Sequence, residues 1–88
     1  MYKIQYHRKA VKEIEKLKIN KLDTKAKKLI DIIKVNPYQN PPPYEKLVGD
    51  LKDYYSRRIN LQHRLIYQVN ENEKIVRILS MWTHYENV

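Results

Sequence analysis

The sequence predicts an α+β domain in which two N-terminal helices pack on a mostly antiparallel, four-stranded sheet. Three observations carry this prediction. A short alternating segment opens the chain, two stretches with apolar residues at helical spacing follow, and the second half contains alternating and apolar runs typical of strands. The 88 residues suffice for one hydrophobic core and not for two, so residues 1–88 are expected to form a single domain.

The first half accounts for one strand and both helices. Residues 2–6 alternate between apolar and polar side chains, which predicts the first strand. Apolar residues then recur at helical spacing over residues 10–17 and predict an amphipathic helix of about three turns. A second helix is expected to begin at Asn20, which can cap its N-terminus, and to end at Asn36, because Pro37 disfavours helical backbone in the residue before it.

A connection without clear periodicity spans residues 37–53. A loop of this length in a small domain is usually functional or disordered. Its three consecutive prolines and its apolar residues favour an ordered loop, and Gly49-Asp50 is expected to form a turn.

The C-terminal part predicts a hairpin followed by a last strand. Residues 54–61 and 63–69 alternate, and a three-residue loop between them would pair Arg58 with Arg64 on the face away from the core. Two like charges in opposite positions are unfavourable, and a bound phosphate would compensate them. Arg57 falls on the core-facing side, where the pattern offers no role for it beyond an edge position or a bulge. Residues 74–82 are apolar on both faces, which is typical of a central strand.

The net charge of +8 is concentrated in the first half of the chain. Residues 1–36 hold 11 Lys and Arg against four acidic residues, whereas residues 37–88 hold seven against six. Lysines on helices ordinarily form a solvated surface, but so basic a chain also suits a polyanionic partner such as nucleic acid, an anionic membrane surface or an acidic protein. Arginine, as at positions 57, 58 and 64, is better suited than lysine to bind phosphate in a fixed geometry.

The composition excludes several classes of protein. The chain contains no cysteine, which excludes a disulfide scaffold, a thiolate metal site and a cysteine nucleophile, and fits a reducing compartment, the cytoplasm. No apolar run reaches the roughly 20 residues that span a bilayer, so no membrane partner is expected. The first five residues lack the apolar core of a signal peptide.

The ionisable residues of the second half suit metal-free cleavage of RNA. The candidates are Glu45, Arg57, Arg58, His63, Arg64 and His84. A carboxylate can take the proton of a 2′-OH, guanidiniums can stabilise the phosphorane, and an imidazole can protonate the leaving oxygen. Composition alone is weak evidence for RNA cleavage, because each residue also has an ordinary structural explanation. Glu45 would be a surface charge, His84 would lie near the terminus, and His63 is expected to be an exposed residue of the hairpin loop.

Metal and cofactor sites are not expected. His7, His63 and His84 form no closely spaced ligand pair, and a single glycine excludes a P-loop or a dinucleotide fingerprint.

Several motifs of the second half resemble those of the YoeB/Txe branch of the RelE-like toxins. They are Ser-Arg-Arg-Ile at residues 56–59, His-Arg-Leu-Ile-Tyr at residues 63–67, His84-Tyr85, and Glu-Lys-Leu at residues 45–47 ahead of Gly-Asp-Leu at residues 49–51. Members of this family are toxins of type II toxin–antitoxin modules that enter the ribosomal A site and cleave mRNA. A cognate antitoxin, typically of the YefM/Axe kind, neutralises them, and homodimers occur. The fold that the resemblance implies is the α+β arrangement given above.

The resemblance also implies a role for individual residues. Glu45 corresponds to the general base, His84 to the general acid, and Arg64 to the arginine that stabilises the transition state. Arg58 corresponds to a phosphate-contacting arginine and Tyr85 to an aromatic residue that holds the substrate.

The chain departs from the family pattern in two places. Val48 stands where the family often has a basic residue, so Lys46 or Lys52 is expected to supply that contact with RNA. Residues 86–88 follow the His-Tyr pair, near which the family often ends. Two other functions remain open: a toxin of the same fold that binds a protein such as DNA gyrase, and an RNA-binding module without catalytic activity.

Overall fold

The computed structural model describes residues 1–49 and 53–84, with backbone and strand pairing alone for residues 83 and 84. Its elements are β1 (Lys3–Tyr6), α1 (Arg8–Ile19), α2 (Asp23–Val35), β2 (Glu45–Lys46), β3 (Tyr54–Arg58), β4 (His63–Asn70) and β5 (Ile75–His84). Part of the predicted turn at Gly49-Asp50, Lys52, Tyr85 and residues 86–88 lie outside the described residues. No helix of the described part is long and apolar enough to cross a membrane.

The strands form one mixed sheet in the order β1-β5-β4-β3-β2. Only β1 and β5 run parallel; the other neighbouring pairs are antiparallel. The predicted α+β class with two helices is confirmed, but the predicted number of four strands is wrong because the sheet has five. The additional strand, β2, has two residues and pairs Glu45 with Ser56 and Lys46 with Tyr55. Two residues cannot display a period of two, so the pattern gave no signal for this strand.

Both helices pack against β5, which lies inside the sheet between β1 and β4. The apolar stripes of the helices and the inward positions of the strands meet in one core. It contains Ala10, Leu17, Leu22, Ala26, Leu29, Ile33, Ile59, Leu65, Tyr67, Val76, Ile78 and Met81.

The connection between the helices differs from the prediction. Asn20 does not cap α2; it follows α1, where its side-chain amide donates to the carbonyl of Lys16 at 2.8 Å. Lys21 then adopts a left-handed backbone with φ 58°, and α2 begins at Asp23, whose carboxylate lies in the first turn near the positive end of the helix dipole. An Asn at a helix end can satisfy either terminus, and here it satisfies an unpaired carbonyl of α1.

The hairpin register agrees with the sequence pattern. Strands β3 and β4 pair Arg58 with Arg64 and Arg57 with Leu65. The side-chain oxygen of Asn60 holds the intervening loop, because it accepts from the backbone N–H of Gln62 at 2.9 Å and of His63 at 2.7 Å.

Arg57 has a structural role that the sequence pattern did not predict. Its side chain is completely buried and donates to the carbonyls of Pro37, Gln39 and Pro42 at 3.1, 2.9 and 2.6 Å. It also donates to the hydroxyl of Tyr67 at 3.1 Å. A buried charge is tolerated only when hydrogen bonds replace its hydration, and the loop carbonyls provide them. Arg57 thereby attaches the proline-rich loop to the sheet and fixes the approach of the chain to β2.

Glu71, in the turn between β4 and β5, connects three distant segments. Its carboxylate accepts from the hydroxyl of Tyr2 at 2.8 Å, from the hydroxyl of Tyr38 and from the ammonium of Lys74 at 3.0 Å. These bonds lower the pKa of Glu71 to about 2, and the bond from Tyr38 contributes most. Burial, together with the bond to this carboxylate, raises the pKa of Tyr38.

Candidate active site

The candidate site lies on the face of the sheet formed by β2, β3 and β4. Pairing places Arg58 opposite Arg64 and Glu45 opposite Ser56. Since residues two apart along a strand share a face, and opposite residues do so as well, all four belong to the same side of the sheet. The short β2 is what brings Glu45 beside the arginines.

Arg64 and Glu45 form a partly buried ion pair. The guanidinium Nη1 of Arg64 donates to Glu45 Oε1 at 2.9 Å and to Ser56 Oγ at 3.4 Å. The side chain of Arg64 is 5% exposed, whereas that of Glu45 is 52% exposed. The guanidinium of Arg64 is therefore held beneath the surface, and the carboxylate of Glu45 stays accessible to a ligand.

An open cleft of about 230 Å³ lies over this pair. Its walls are Pro43, Tyr44, Glu45, Ser56, Arg58 and Arg64. Among the residues with described side chains, Arg58 forms no ion pair and is exposed, so its guanidinium is available to an anion. Two guanidiniums can bind a phosphate, and a carboxylate in the same cleft can accept a proton beside it.

The end of β5 runs alongside the site. Pairing with β4 places Thr83 opposite Arg64 and His84 opposite His63, so His84 is one residue beyond the position that faces Arg64. The side chain of His84 and the whole of Tyr85 lie outside the described residues.

His63 is not the exposed loop residue that the sequence suggested. It is the first residue of β4 and is 5% exposed. Its imidazole stacks on Trp82, with 3.9 Å between ring centroids and 22° between planes. The prediction was wrong for two reasons. The hairpin loop ends at Gln62, so His63 belongs to the strand, and Trp82 covers its ring.

Lys46 does not line this cleft. It is exposed, pairs with Tyr55 and follows Glu45 directly, so the alternation of β2 assigns it to the other face of the sheet. Val48 is 85% exposed.

Two polar residues of the site were not among the predicted site residues. Ser56 is 2% exposed and supports the guanidinium of Arg64, and its place in the Ser-Arg-Arg-Ile motif on the outward face was the available signal. Tyr44 forms a wall of the cleft and carries an edge contact to Tyr55 with 5.8 Å between centroids. No pattern in the sequence indicated Tyr44.

Glu13 of α1 supports the strand that carries His84. Its buried carboxylate accepts from the backbone N–H of Met81 at 2.8 Å and from Ser80 Oγ at 3.2 Å. Here the pairing of β4 with β5 shifts in register, which frees β5 backbone groups from the ladder. Glu13 satisfies one of these groups and so fixes the segment that leads to His84.

In the part of the chain that the structure describes, no three or more His, Cys, Asp or Glu residues cluster as a metal site would require. The ionised side chains that line the described cleft are one carboxylate and two guanidiniums.

Comparison with known proteins assigns this architecture to a family. Residues 2–85 match the model of the "YoeB-like toxin of bacterial type II toxin-antitoxin system". The chain is 38% identical to Toxin YoeB of Mycobacterium bovis over 58 residues, which are 66% of each chain. It is 34% identical to Toxin YoeB of Streptomyces coelicolor over 56 residues, 64% of this chain and 67% of the relative. The aligned segment thus covers only about two thirds of these curated relatives.

Two solved structures agree over nearly the whole chain. A YoeB/ParE toxin from Agrobacterium tumefaciens superimposes with a TM-score of 0.85 at 26% identity, covering 94% of this chain and 99% of that one. The toxin of a heterotetrameric YoeB-YefM complex from Staphylococcus aureus gives a TM-score of 0.79 at 33% identity, covering 97% and 99%.

Proposed function

The chain belongs to the family of YoeB-like toxins of bacterial type II toxin–antitoxin systems, and on that premise we propose that it is a ribosome-dependent mRNA endoribonuclease that inhibits translation in the cytoplasm. The observation that carries the proposal is the ion pair between Arg64 and Glu45 with Arg58 opposite Arg64. It supplies a base and two cations around one open cleft.

The reaction uses the 2′-hydroxyl of the substrate as its nucleophile and no metal. The carboxylate of Glu45 takes the 2′-OH proton as the 2′-oxygen attacks the adjacent phosphorus. The bond from phosphorus to the 5′-oxygen breaks, and His84 gives that oxygen its proton. The products are a 2′,3′-cyclic phosphate and a free 5′-OH, so atoms and protons balance.

The arginines stabilise the charge that develops on the phosphate. Arg64 is held by Glu45 and Ser56 before the substrate arrives, so little reorganisation is needed at the transition state. Arg58 is exposed and can move towards a phosphate oxygen. A phosphate between Arg58 and Arg64 also removes the repulsion between two like charges in opposite positions. Tyr85 is proposed to hold the substrate and Lys46 to contact RNA outside the cleft.

The proposed partners are the ribosome with its mRNA and an antitoxin of the YefM/Axe type. One similar toxin was solved in complex with YefM, and an archaeal RelE, 26% identical to this chain, was solved with RelB. A Staphylococcus aureus YoeB that is 31% identical was solved as a dimer, which supports a homodimer of this chain. The basic first 36 residues suit contact with ribosomal RNA.

Cleavage of mRNA on programmed ribosomes tests the proposal, with cut positions read by primer extension. Glu45→Gln keeps the shape of the side chain and removes the base, so we expect the rate to fall at least about 100-fold. His84→Gln should cause a comparable loss. Glu15→Gln, an exposed carboxylate on α1, is the matched control and should cut at the unaltered rate.

Undiminished cutting by both Glu45→Gln and His84→Gln would refute the catalytic assignment. Intact mRNA together with DNA damage on expression would refute the nuclease proposal and support a toxin that acts on DNA gyrase.

A further inference from the structure

A second cleft adjoins the candidate active site on the other side of Arg58. It is open and encloses about 760 Å³. Pro43 and Arg58 line both this cleft and the smaller one above Glu45, so the two clefts adjoin at the Arg58 side chain. A ligand long enough to pass Arg58 can therefore reach both clefts.

The charges of the second cleft are positive. Lys25 of α2 and Arg58 line it, both are exposed, and no carboxylate is among its described lining residues. Within the described part of the chain, neither cation forms an ion pair. Lys27 on the same helix is, in contrast, paired with Asp31 at 3.3 Å. The cleft thus presents two cations that an anionic ligand can use.

The remaining surface of the cleft is apolar or amide-bearing. Leu61 projects from the hairpin loop with 85% of its surface exposed, and Pro43 lines the same cleft from the proline-rich loop. The hydrogen bonds from the backbone to Asn60 fix this loop, so Leu61 is held in an exposed position by a rigid turn. Gln62 adds a side-chain amide that can donate and accept.

Cations beside an apolar surface and an amide match the chemistry of single-stranded RNA, in which phosphates alternate with flat bases. We propose that this cleft is a subsite for the nucleotide next to the cleaved bond. Arg58 contacts the phosphate shared by the two clefts, Lys25 contacts the next phosphate, and Leu61 packs against the base. The inference rests on the proposed function for its choice of RNA over an acidic peptide, and the position of this cleft beside the ion-pair cleft favours that choice.

A binding experiment tests the subsite without requiring cleavage. The probe is a fluorescent hexanucleotide with 2′-O-methyl groups throughout, which has no free 2′-OH and cannot be cut. Its affinity is measured by anisotropy over a series of salt concentrations. Each phosphate contact with single-stranded nucleic acid contributes about 0.7 to the slope of log K against log salt. Lys25→Gln should lower the magnitude of the slope by about that amount.

Lys28→Gln is the matched control, because Lys28 is an exposed residue of the same helix and does not line the cleft. It should leave the slope unchanged. Leu61→Ser should weaken binding about fivefold at each salt concentration without altering the slope, since it removes an apolar contact and no charge.

Equal effects of Lys25→Gln and Lys28→Gln would overturn the subsite, because they would show a response to overall charge. Binding of poly-glutamate that depends on Lys25, with no such dependence for RNA, would overturn it in favour of an acidic protein partner. Either outcome leaves the cleavage assay with Glu45→Gln untouched. Normal cutting by Glu45→Gln and His84→Gln would refute the proposed catalysis, and the hexanucleotide would still report on the cleft.

Discussion

Replacing Arg57 with methionine should destabilise the domain severely, although the residue carries no proposed chemistry. The side chain is fully buried, and its guanidinium donates four hydrogen bonds, three to loop carbonyls and one to Tyr67. Methionine is of similar length and apolar, so it fills much of the space and removes the donors. The change thus isolates the hydrogen bonds from the volume.

The expected loss follows from two opposing terms. Hydrogen bonds to a charged group contribute about 1.5 kcal/mol each at the lower end, or about 6 kcal/mol for four. Burying the guanidinium costs several kcal/mol that methionine does not, which offsets about half of that sum. The free energy of unfolding should therefore fall by about 3 kcal/mol, a large share of the roughly 5–15 kcal/mol of a typical domain. In a chain of this size the melting temperature should fall by about 12–24 °C.

Urea unfolding followed by circular dichroism measures the effect, with the free energy extrapolated to water. Arg58→Met is the matched control: it removes the same group one residue later on β3, at an exposed position, and should change stability by less than about 0.5 kcal/mol. A loss below about 1 kcal/mol for Arg57→Met, or equal losses for the two variants, would refute the role assigned to Arg57.

Two further carboxylates give distinct expectations. Glu13→Ala leaves the buried N–H of Met81 without its acceptor and should lower the free energy of urea unfolding by about 2 kcal/mol. Glu13→Gln keeps an acceptor and should lower it by less. Equal losses for the two variants would contradict this role of Glu13. The folded pKa of Glu71, about 2, lies below its ordinary 4.5, so its contribution is complete above about pH 5 and is lost as the pH falls towards 2. Glu71→Gln should therefore flatten the decline in stability between pH 5 and pH 3, and Tyr38→Phe should do so in part. Profiles parallel to that of the unaltered chain would count against this bond network.

Most of what the sequence predicted correctly is encoded locally. Helical spacing indicated both helices, and alternation or, for β5, an apolar run indicated the four longer strands, because each pattern lies within one element. A three-residue loop was enough to pair Arg58 with Arg64, since the register of a hairpin depends on its turn. The motifs around them indicated the family.

What the sequence missed involves contacts between distant segments. Arg57 reads as a misplaced charge until the loop carbonyls 15 to 20 residues earlier close around it. Glu13 reads as one more surface acid of a basic helix, yet it binds Ser80, 67 residues away.

The candidate site shows the same division. The family motifs predicted Glu45 as base and Arg64 as cation, which stays a prediction, but no pattern in a two-residue strand could show that Glu45 pairs beside β3. Only the tertiary structure decided that their side chains meet at 2.9 Å, that Ser56 supports the guanidinium and that a second cleft, lined by Lys25, adjoins Arg58. The physical reason is that periodicity records which face of its own element a residue occupies, whereas a site depends on how separate elements pack.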